Sequence, residues 1–328
     1  MHWLLAQFLV RPPYPTASFE GKTIVITGSN TGLGKEAARH YVRLGAGRVI
    51  LAVRNLDKGH EAKYDIEATT WCAKDVIQVW HLDMASYASV RKFASRAAAN
   101  LDRIDIFHAN AGLAAGSRIQ AEGNDAVITV NFISTILMAA LLMPKLKDTA
   151  AKFATRPVFC VTSSVAHAFT KFKQKAAPEG DILAAIEKQA KEDTSPASRE
   201  DLYSISKLLA IFAVRSIAEK CPAPALPVTV NLVDPGLCWS ELARDFDGLG
   251  NRVFMTLLAR STEVGSRTLL HAGAQGADSH GGYLSSCQPT TPSAVVAGPG
   301  GKDLQERVWR ELVGKLDAIV PGVTSNFS

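Results

Sequence analysis

The feature that most restricts the fold is a glycine-rich turn between a strand-like run and a helix-like run. The β-branched run 22–27 leads directly into Gly28, Gly32 and Gly34, and a helical pattern continues over 35–44. Glycine permits a tight turn, and a helix that begins there offers free N–H groups and the positive end of its dipole to a phosphate. This order therefore predicts the phosphate-binding turn of a dinucleotide-binding fold. The strand-like and helix-like runs on either side favour this interpretation over a plain loop.

Strand-like and helix-like patterns alternate along the rest of the chain. The strand-like runs are 48–53, 76–82, 104–108, 156–162, 228–233 and 282–285. The helix-like runs are 57–68, 87–99, 124–146, 202–218 and 263–274. This alternation predicts an α/β fold of the Rossmann type, a doubly wound parallel sheet with helices on both faces. A chain of 328 residues, 47% of them hydrophobic, fits one such domain better than two small ones.

Further segments are expected around and within this domain, which should span 21–287. Residues 1–20 include an apolar stretch that is too short to cross a bilayer and lacks the features of a signal peptide. We expect it to dock on the body of the protein, with shallow membrane attachment as the alternative. A helical insertion at about 168–200 and a lid at about 237–260 should flank the substrate site, and 288–328 should form a surface loop and a terminal amphipathic helix.

Charge and cysteine content exclude several classes of partner. The net charge of +5 comes from 36 basic and 31 acidic residues without a basic run, which argues against a nucleic-acid partner. The five cysteines have neither Cys-x-x-Cys nor His-rich spacing, so neither a metal site nor a disulfide framework is predicted. A reducing, cytoplasmic setting is the simplest interpretation.

The tip of the second strand is expected to select the cofactor. An acidic residue there would bind the ribose 2′-hydroxyl of NAD, whereas this chain has Val53 followed by Arg54, which can pair with a 2′-phosphate. NADP is therefore predicted, and an exposed loop arginine without a ligand is the alternative. Asp83, at the end of the third strand, is positioned to accept a hydrogen bond from the adenine amino group.

A tyrosine and a lysine four residues apart, Tyr203 and Lys207, lie near the start of an apolar helix-like segment. This spacing places both side chains on one face of a helix. A phenol has an unperturbed pKa of about 10, and a fixed ammonium one turn away should lower it and make the phenol a usable acid. Alone, such a pair usually marks only a solvated helix face, and Asn131 inside 124–146 would alone be a packing residue.

Together and in order, these motifs resemble the short-chain dehydrogenase/reductase family over about residues 20–287, and within it the retinol-dehydrogenase-like reductases of fungi. Residues 27–34 resemble its cofactor turn, 110–112 its sheet-and-cofactor motif, and 235–236 with Ser240 the segment over the nicotinamide. The motifs and the resemblance together imply a set of cofactor-binding residues. These are Gly28, Ser29, Asn30, Thr31, Gly32, Leu33, Gly34, Arg54, Asp83, Asn110, Ala111, Gly112, Tyr203, Lys207, Pro235, Gly236 and Ser240.

The resemblance also implies a catalytic set of four residues, Asn131, Ser164, Tyr203 and Lys207. In hydride transfer between a nicotinamide and a carbonyl carbon, Tyr203 would be the acid and Ser164 would hold the carbonyl oxygen. Lys207 would bind the nicotinamide ribose, Asn131 would anchor a water, and no metal is needed. Two departures stand out: the interval from Ser164 to Tyr203 is longer than in compact members, and Ala109 occupies a position where Asn is common.

The predicted function is an NADPH-dependent carbonyl reductase or alcohol dehydrogenase that acts on a bulky lipophilic ketone or alcohol of fungal secondary metabolism, with a homodimer as one expected assembly. Apolar side chains that would line the pocket are Phe169, Leu237, Trp239, Leu242, Phe246 and Phe254. A catalytically silent NADP-binding regulator or scaffold is the alternative, although it has no reason to keep the whole catalytic set. A sugar-nucleotide epimerase or dehydratase is a third possibility, but such enzymes usually have a different glycine spacing.

Overall fold

The core of the fold is a parallel sheet, seen in a computed structural model that describes residue 7 and residues 10–239 and 259–328. The strands in these ranges are β1 (Thr23–Thr27), β2 (Arg48–Val53), β3 (Ile77–His81), β4 (Ile106–Ala109), β5 (Gln120–Ala121), β6 (Asn124–Asp125), β7 (Val158–Thr162), β8 (Thr229–Asp234), β9 (Tyr283–Ser285) and β10 (Gln288–Pro289). Eight form one sheet in the order β10-β9-β8-β7-β4-β1-β2-β3. All neighbours in it are parallel except β9 and β10, which confirms the predicted fold class.

The position of the candidate site follows from the strand order. From β1 the sheet runs one way through β2 and β3, and the other way through β4, β7 and β8. At such a reversal, the crevice beyond the carboxyl ends of the strands is where ligands bind in open α/β sheets. Gly28, Asn110 and Ser163 directly follow the ends of β1, β4 and β7, so the sequence motifs meet at this crevice.

Helices cover both faces of the sheet. They are α1 (Gly32–Arg43), α2 (Leu56–Thr70), α3 (Tyr87–Asn100), α4 (Ala126–Ile128), α5 (Ser134–Phe153), α6 (Ile182–Glu192), α7 (Pro196–Lys220), α8 (Thr262–Gly273), α9 (Ala294–Ala297) and α10 (Gly301–Ile319). One hydrophobic cluster, which includes Leu142 and Leu209, joins the sheet to α3, α5, α7 and α10. A second, with Tyr41 and Leu269, joins it to α1, α2 and α8. Both faces are therefore buried, as the near-continuous apolar strands require.

The apolar helix predicted at 124–146 is interrupted. It consists of α4, a π-helical turn at Thr129–Ile133, and α5. The backbone N–H of Ser134 donates to the Thr129 carbonyl five residues earlier, which is the π-helical pattern. By length and composition, Ala126–Phe153 is apolar enough to cross a membrane, but 94% of its most apolar window is buried inside the protein, which marks a core helix.

The insertion and the C-terminal stretch hold more regular structure than the sequence predicts. Helix α7 begins at Pro196, because Ser195 caps its first turn and proline suits the first helical position. In the insertion, the N-terminal N–H groups of α6 donate to the carboxylate of Glu311 on α10. The surface loop expected before the terminal helix contains two short regular elements, β10 and α9. The hairpin of β5 and β6 was also not predicted. The assignment of residues 21–287 to one cofactor-binding domain stays a prediction.

Residues near the N-terminus contact the segment that follows β8. The side-chain amide of Gln7 donates to the Leu237 carbonyl (2.9 Å) and accepts from the Leu237 N–H (3.1 Å). Arg260 donates to the Val10 carbonyl (2.8 Å), and Arg267 donates to the Pro12 carbonyl (3.0 Å). The described part of 1–20 therefore packs beside the predicted cofactor segment.

Candidate active site

The glycine turn after β1 has the shape of a phosphate cradle. Gly28 and Gly32 have φ of 64° and 59°, a region that L-residues with side chains rarely adopt. A Cβ on Gly28 would lie 2.9 Å from the Ala111 Cα, and one on Gly34 would lie 2.8 Å from the Gly28 carbonyl oxygen. Within the described chain, Thr31 gives α1 no side-chain cap. The first N–H groups of α1 are therefore available to an anion.

The segment Asn110–Gly112 fixes this turn against β4. Thr27 Oγ1 accepts from the N–H groups of Asn110 (3.0 Å) and Ala111 (2.8 Å). The Asn110 amide donates to the carbonyls of Thr27 (2.9 Å) and Gly28 (3.3 Å). The side chain of Asn110 thus holds the cradle in place. Thr27 is a site residue that the sequence analysis missed, although the signal was a hydroxyl directly before the first glycine.

The two residues predicted to recognise the adenosine half lie at the ends of neighbouring strands. Arg54 is exposed directly after β2. Asp83 lies two residues beyond β3, where its carboxylate accepts from the Ala85 N–H (2.9 Å). Both lie on the same edge of the sheet as the glycine turn, because β1, β2 and β3 are parallel. The Asp83 carboxylate is therefore partly engaged in its own turn.

Asn131 lies in the middle of the π-helical turn, with its side chain buried. Its amide oxygen accepts from the Leu113 N–H (2.8 Å), and its amide nitrogen donates to the Leu113 carbonyl (2.9 Å) and to Ser206 Oγ (2.9 Å). Ser206 Oγ donates in turn to the Tyr203 carbonyl (2.7 Å). Asn131 is thus tied to α7 through Ser206, a residue that the sequence analysis missed even though it precedes Lys207 directly.

Lys207 lies beneath the same crevice and is 4% exposed. Its ammonium donates to the Thr162 carbonyl at the end of β7 (2.8 Å). A Cβ on Gly112 would lie 3.7 Å from Lys207 Nζ and 3.5 Å from Asn131 Oδ1. The end of β4, the π-helical turn and α7 therefore bring their predicted site residues together.

The Ser164 hydroxyl lies close enough to the Tyr203 phenol to lower the pKa of that phenol. Ser164 directly precedes a short 3₁₀ turn, Val165–Ala168, and its Oγ also accepts from the Ala166 N–H (3.2 Å). Lys207 Nζ lies 5.7 Å from the centre of the Tyr203 ring. The four residues of the predicted catalytic set therefore occupy one site, at the carboxyl ends of β4 and β7.

The expectation that Lys207 lowers the pKa of Tyr203 is wrong in this structure. Burial raises the pKa of Tyr203 to about 12, while the nearby Ser164 hydroxyl acts in the opposite direction and the Asp234 charge adds to the rise. Burial also lowers the pKa of Lys207 to about 8, partly offset by the Asp234 charge. Both groups are removed from water, and desolvation disfavours the charged form of each.

The segment after β8 completes the described edge of the site. Gly236 has φ of 77°, and its N–H donates to Asp234 Oδ1 (3.0 Å). This positive φ would strain a residue with a side chain, so the turn at Pro235–Gly236 favours glycine at the second position. Ser240 and most of the predicted lid at 237–260 lie outside the described residues, as do Leu242, Phe246 and Phe254.

Comparisons with known proteins agree with this geometry. Residues 22–166 match the model of the short chain dehydrogenase family. The chain is 60% identical over 327 residues to the short chain dehydrogenase/reductase dmxR8 of Cryptosporiopsis sp., with 100% of both chains covered. It is 38% identical over 316 residues to the short-chain dehydrogenase/reductase phmF of Phaeosphaeria nodorum, with 92% of this chain and 88% of that protein covered.

Among solved structures, an uncharacterized protein from Mycobacterium paratuberculosis is similar, with a TM-score of 0.67 and 23% identity over 92% of this chain and 96% of that one. That likeness concerns the fold alone, whereas the curated relatives align along nearly the whole chain. The protein belongs to the short-chain dehydrogenase/reductase family, an oxidoreductase family that uses NAD(P). It is similar to fungal members of that family, which confirms the resemblance drawn from the motifs.

Proposed function

We propose that the protein is an NADPH-dependent carbonyl reductase that acts on a bulky lipophilic ketone, or in reverse on the corresponding alcohol. The observation that carries this proposal is the approach of the Ser164 hydroxyl to the Tyr203 phenol, beside Lys207 and at the ligand-binding edge of the sheet. A carbonyl oxygen placed between the two hydroxyls would have a donor on each side. Bound NADPH would supply the hydride.

The protonation state of Tyr203 favours the reductive direction. With a pKa raised to about 12, the phenol keeps its proton at neutral pH and can give it to an oxygen that gains negative charge. Ser164 holds that oxygen and stabilises the growing charge. The same pKa makes Tyr203 a poor base for alcohol oxidation near pH 7.

The other two members of the set hold the site together. Lys207 bears an ammonium below its pKa of about 8 and lies close to Gly112, where it would bind the nicotinamide ribose. Asn131 fixes the loop at Leu113 and, through Ser206, the turn of α7 that carries Tyr203. We assign to Asn131 this positioning task in addition to the water-anchoring role that the resemblance implies.

The chain's residues fit a dinucleotide, and we propose NADP rather than NAD. The turn formed by Gly28, Gly32 and Gly34 leads into the free N–H groups at the start of α1, which suit a diphosphate. A side chain at Gly28 or Gly34 would clash with neighbouring protein atoms, and one at Gly32 would strain the backbone. The exposed guanidinium of Arg54, after a strand tip that ends in Val53, suits a 2′-phosphate and has no acidic neighbour in the preceding strand.

The preference for an apolar substrate rests on two exposed aromatic residues of the described chain that follow segments of the site closely in the sequence. Phe169, five residues after Ser164, is 61% exposed, and Trp239, three residues after Gly236, is 45% exposed. Large exposed rings on segments that lead out of a polar site suit a ligand with a bulky apolar body. A metabolite of fungal secondary metabolism fits this description, and we propose a cytoplasmic enzyme that forms a homodimer.

The test is a panel of lipophilic ketones and alcohols offered with NADPH and with NADH, followed by the absorbance of the reduced nicotinamide. Reduction of at least one bulky ketone, faster with NADPH, is expected. A protein that binds NADPH tightly but turns over no member of the panel would instead be the regulator or scaffold that the sequence left open. A protein that reduces small polar ketones best would overturn the substrate class only.

A further inference from the structure

A buried histidine lies directly behind the proposed catalytic serine. His167 belongs to the 3₁₀ turn Val165–Ala168 and is 2% exposed. Its Nδ1 lies 2.7 Å from the Ser164 carbonyl oxygen, and its Nε2 lies 3.0 Å from the backbone nitrogen of Ser293. The ring therefore bridges the end of β7 to the segment that precedes α9.

These two neighbours define the tautomer. The Ser293 N–H can only donate, so Nε2 must accept and carries no proton. Nδ1 then bears the proton and donates it to the Ser164 carbonyl. The ring is neutral in this arrangement, and burial lowers the pKa of His167, which is consistent with that state.

The backbone of Ser164 is held by more than this one bond. Its carbonyl also accepts from the His167 backbone N–H (3.2 Å), while its Oγ accepts from the Ala166 N–H (3.2 Å). The His167 ring packs edge-to-face on Tyr283 of β9, with centroids 5.1 Å apart. The His167 ring therefore holds the backbone of Ser164, and the ring is held in turn by Tyr283 of β9 and by the backbone of Ser293.

We propose that neutral His167 is a positioning residue, which aims the Ser164 hydroxyl at the substrate oxygen and releases it when the imidazole is protonated. The inference rests on the proposed function of Ser164. A proton on Nε2 would place two N–H donors head to head at Ser293, so the ring would have to leave that contact. Turnover should then fall as the pH decreases through the lowered pKa of His167.

The charged and titratable groups around the ring are few in the described structure. Asp234 at the end of β8 raises the pKa of His167, but by less than burial lowers it. Tyr283 faces the ring from β9, and α7, which packs on the 3₁₀ turn, brings Tyr203 and Lys207. Both phenols are neutral over the acid range, because burial raises their pKa values. His167 is therefore the side chain of this cluster whose protonation would disturb the contacts behind Ser164.

Two amide substitutions separate the contact of His167 with Ser164 from its contact with Ser293. In His167→Asn, the shorter amide can occupy the position of Nδ1 and donate to the Ser164 carbonyl, whereas in His167→Gln the longer amide can occupy the position of Nε2 and accept from Ser293. We expect kcat to fall on the order of tenfold to a hundredfold more in His167→Gln than in His167→Asn, because a displacement near 1 Å can have effects of that size. The acid limb of the pH profile should disappear in His167→Asn, and NADPH affinity should be unchanged in both.

His280 provides a matched control at the other end of β8. It too joins two backbone groups, accepting from the Val230 N–H (3.1 Å) and lying 2.9 Å from the Cys221 carbonyl. His280→Gln should lower the thermal midpoint without changing kcat. Equal kcat values in the two His167 variants would overturn the proposal. So would kcat losses that merely follow the decrease in thermal midpoint, because His167 would then be a packing residue like His280.

A measurement on the unmodified protein covers the case in which the variants do not fold. The ¹⁵N shifts of the His167 imidazole at pH 7 should report the neutral Nδ1–H tautomer, and the Nε2–H tautomer or a charged ring would overturn the assignment. If the unmodified protein reduces no ketone, the proposed function fails. If it does and the His167 variants match it, only the positioning role fails.

Discussion

Arg199 and Asp125 form an ion pair that is sealed inside the protein, with side chains 1% and 0% exposed. The guanidinium meets the carboxylate at two points, 2.7 and 3.2 Å, and also donates to the Ala115 carbonyl (3.0 Å). Arg199 lies one helical turn before Tyr203, and Asp125 caps α4, which leads into the turn that holds Asn131. The pair therefore links α7, which carries Tyr203 and Lys207, to α4, which leads into the turn with Asn131.

Removal of one partner of this pair should strongly destabilise the protein. Arg199→Met would leave the Asp125 carboxylate buried without its counter-charge, and such losses cost about 3–5 kcal/mol. Urea unfolding measures the change. The exposed pair Lys188–Glu192 is the control, because its side chains are 73% and 65% exposed and its removal should cost about 1 kcal/mol or less. Similar small changes at both pairs would contradict the structural role of Arg199.

Tyr203→Phe should separate chemistry from cofactor binding. The ring keeps its packing while the acid is lost, so turnover should fall by about 10²-fold or more with an unchanged Kd for NADPH. Steady-state kinetics and quenching of protein fluorescence by NADPH measure the two quantities. A variant that reduces the best ketone at the unmodified rate would remove Tyr203 from the mechanism.

The two adjacent serines should not be equivalent. The Ser164 hydroxyl lies close enough to Tyr203 to lower the pKa of its phenol, whereas the buried Ser163 Oγ has no hydrogen-bond partner within the described part of the chain. Ser164→Ala should lower kcat by about 10²-fold or more, as when a donor to a developing oxyanion is lost. Ser163→Ala should have little effect on kcat or on NADPH binding. The reverse ranking would show that the wrong hydroxyl faces the substrate.

Arg54→Ala should weaken NADPH selectively. Loss of a guanidinium–phosphate pair costs roughly 2 kcal/mol or more, about thirtyfold in Kd. NADH lacks the 2′-phosphate, so its affinity serves as the internal control and should not change. Equal affinities of the unmodified protein for the two cofactors would argue against the NADP assignment.

The affinity for NADPH should decline as the pH rises through about 8. Since burial lowers the pKa of Lys207 from that of a free lysine to about 8, its ammonium is present below that pH and is lost above it. The phenol of Tyr203 stays protonated until about pH 12, so it does not set this limb. Kd for NADPH, titrated from pH 6 to 10 in the unmodified protein and in Lys207→Met, measures the effect. The variant should bind weakly and without this pH dependence. A limb that appears only near pH 10 would mean that Lys207 keeps an ordinary pKa.

The parallel strands, the glycine turn and the helix that carries Tyr203 and Lys207 could be predicted because each has a local signal. The apolar run 22–27 and the glycines after it specify β1 and the start of α1 without reference to the rest of the chain. The spacing of Tyr203 and Lys207 likewise required only a helix.

Other features depend on long-range contacts that no local pattern reveals. The π-helical turn around Asn131 is accompanied by bonds to Leu113 and Ser206, which lie far away in the sequence. The raised pKa of Tyr203 depends on its burial, which the spacing of the two residues does not indicate. The pairing of β10 with β9 could not be foreseen from a dipeptide of Gln and Pro. The earlier start of α7 was visible, however, in the sequence Ser195-Pro196.

The π-helical turn implies that the residues 129–133 trade thermal stability for catalytic activity. A turn of this type contains one residue more than a regular helix needs, and helices seldom keep it without a gain elsewhere. Deletion of Val130 would allow the backbone to wind regularly from α4 into α5, but it would rotate the side chain of Asn131 relative to α5 and away from Leu113 and Ser206. Selection for thermal stability alone would be expected to remove this residue, and selection for turnover would be expected to restore it.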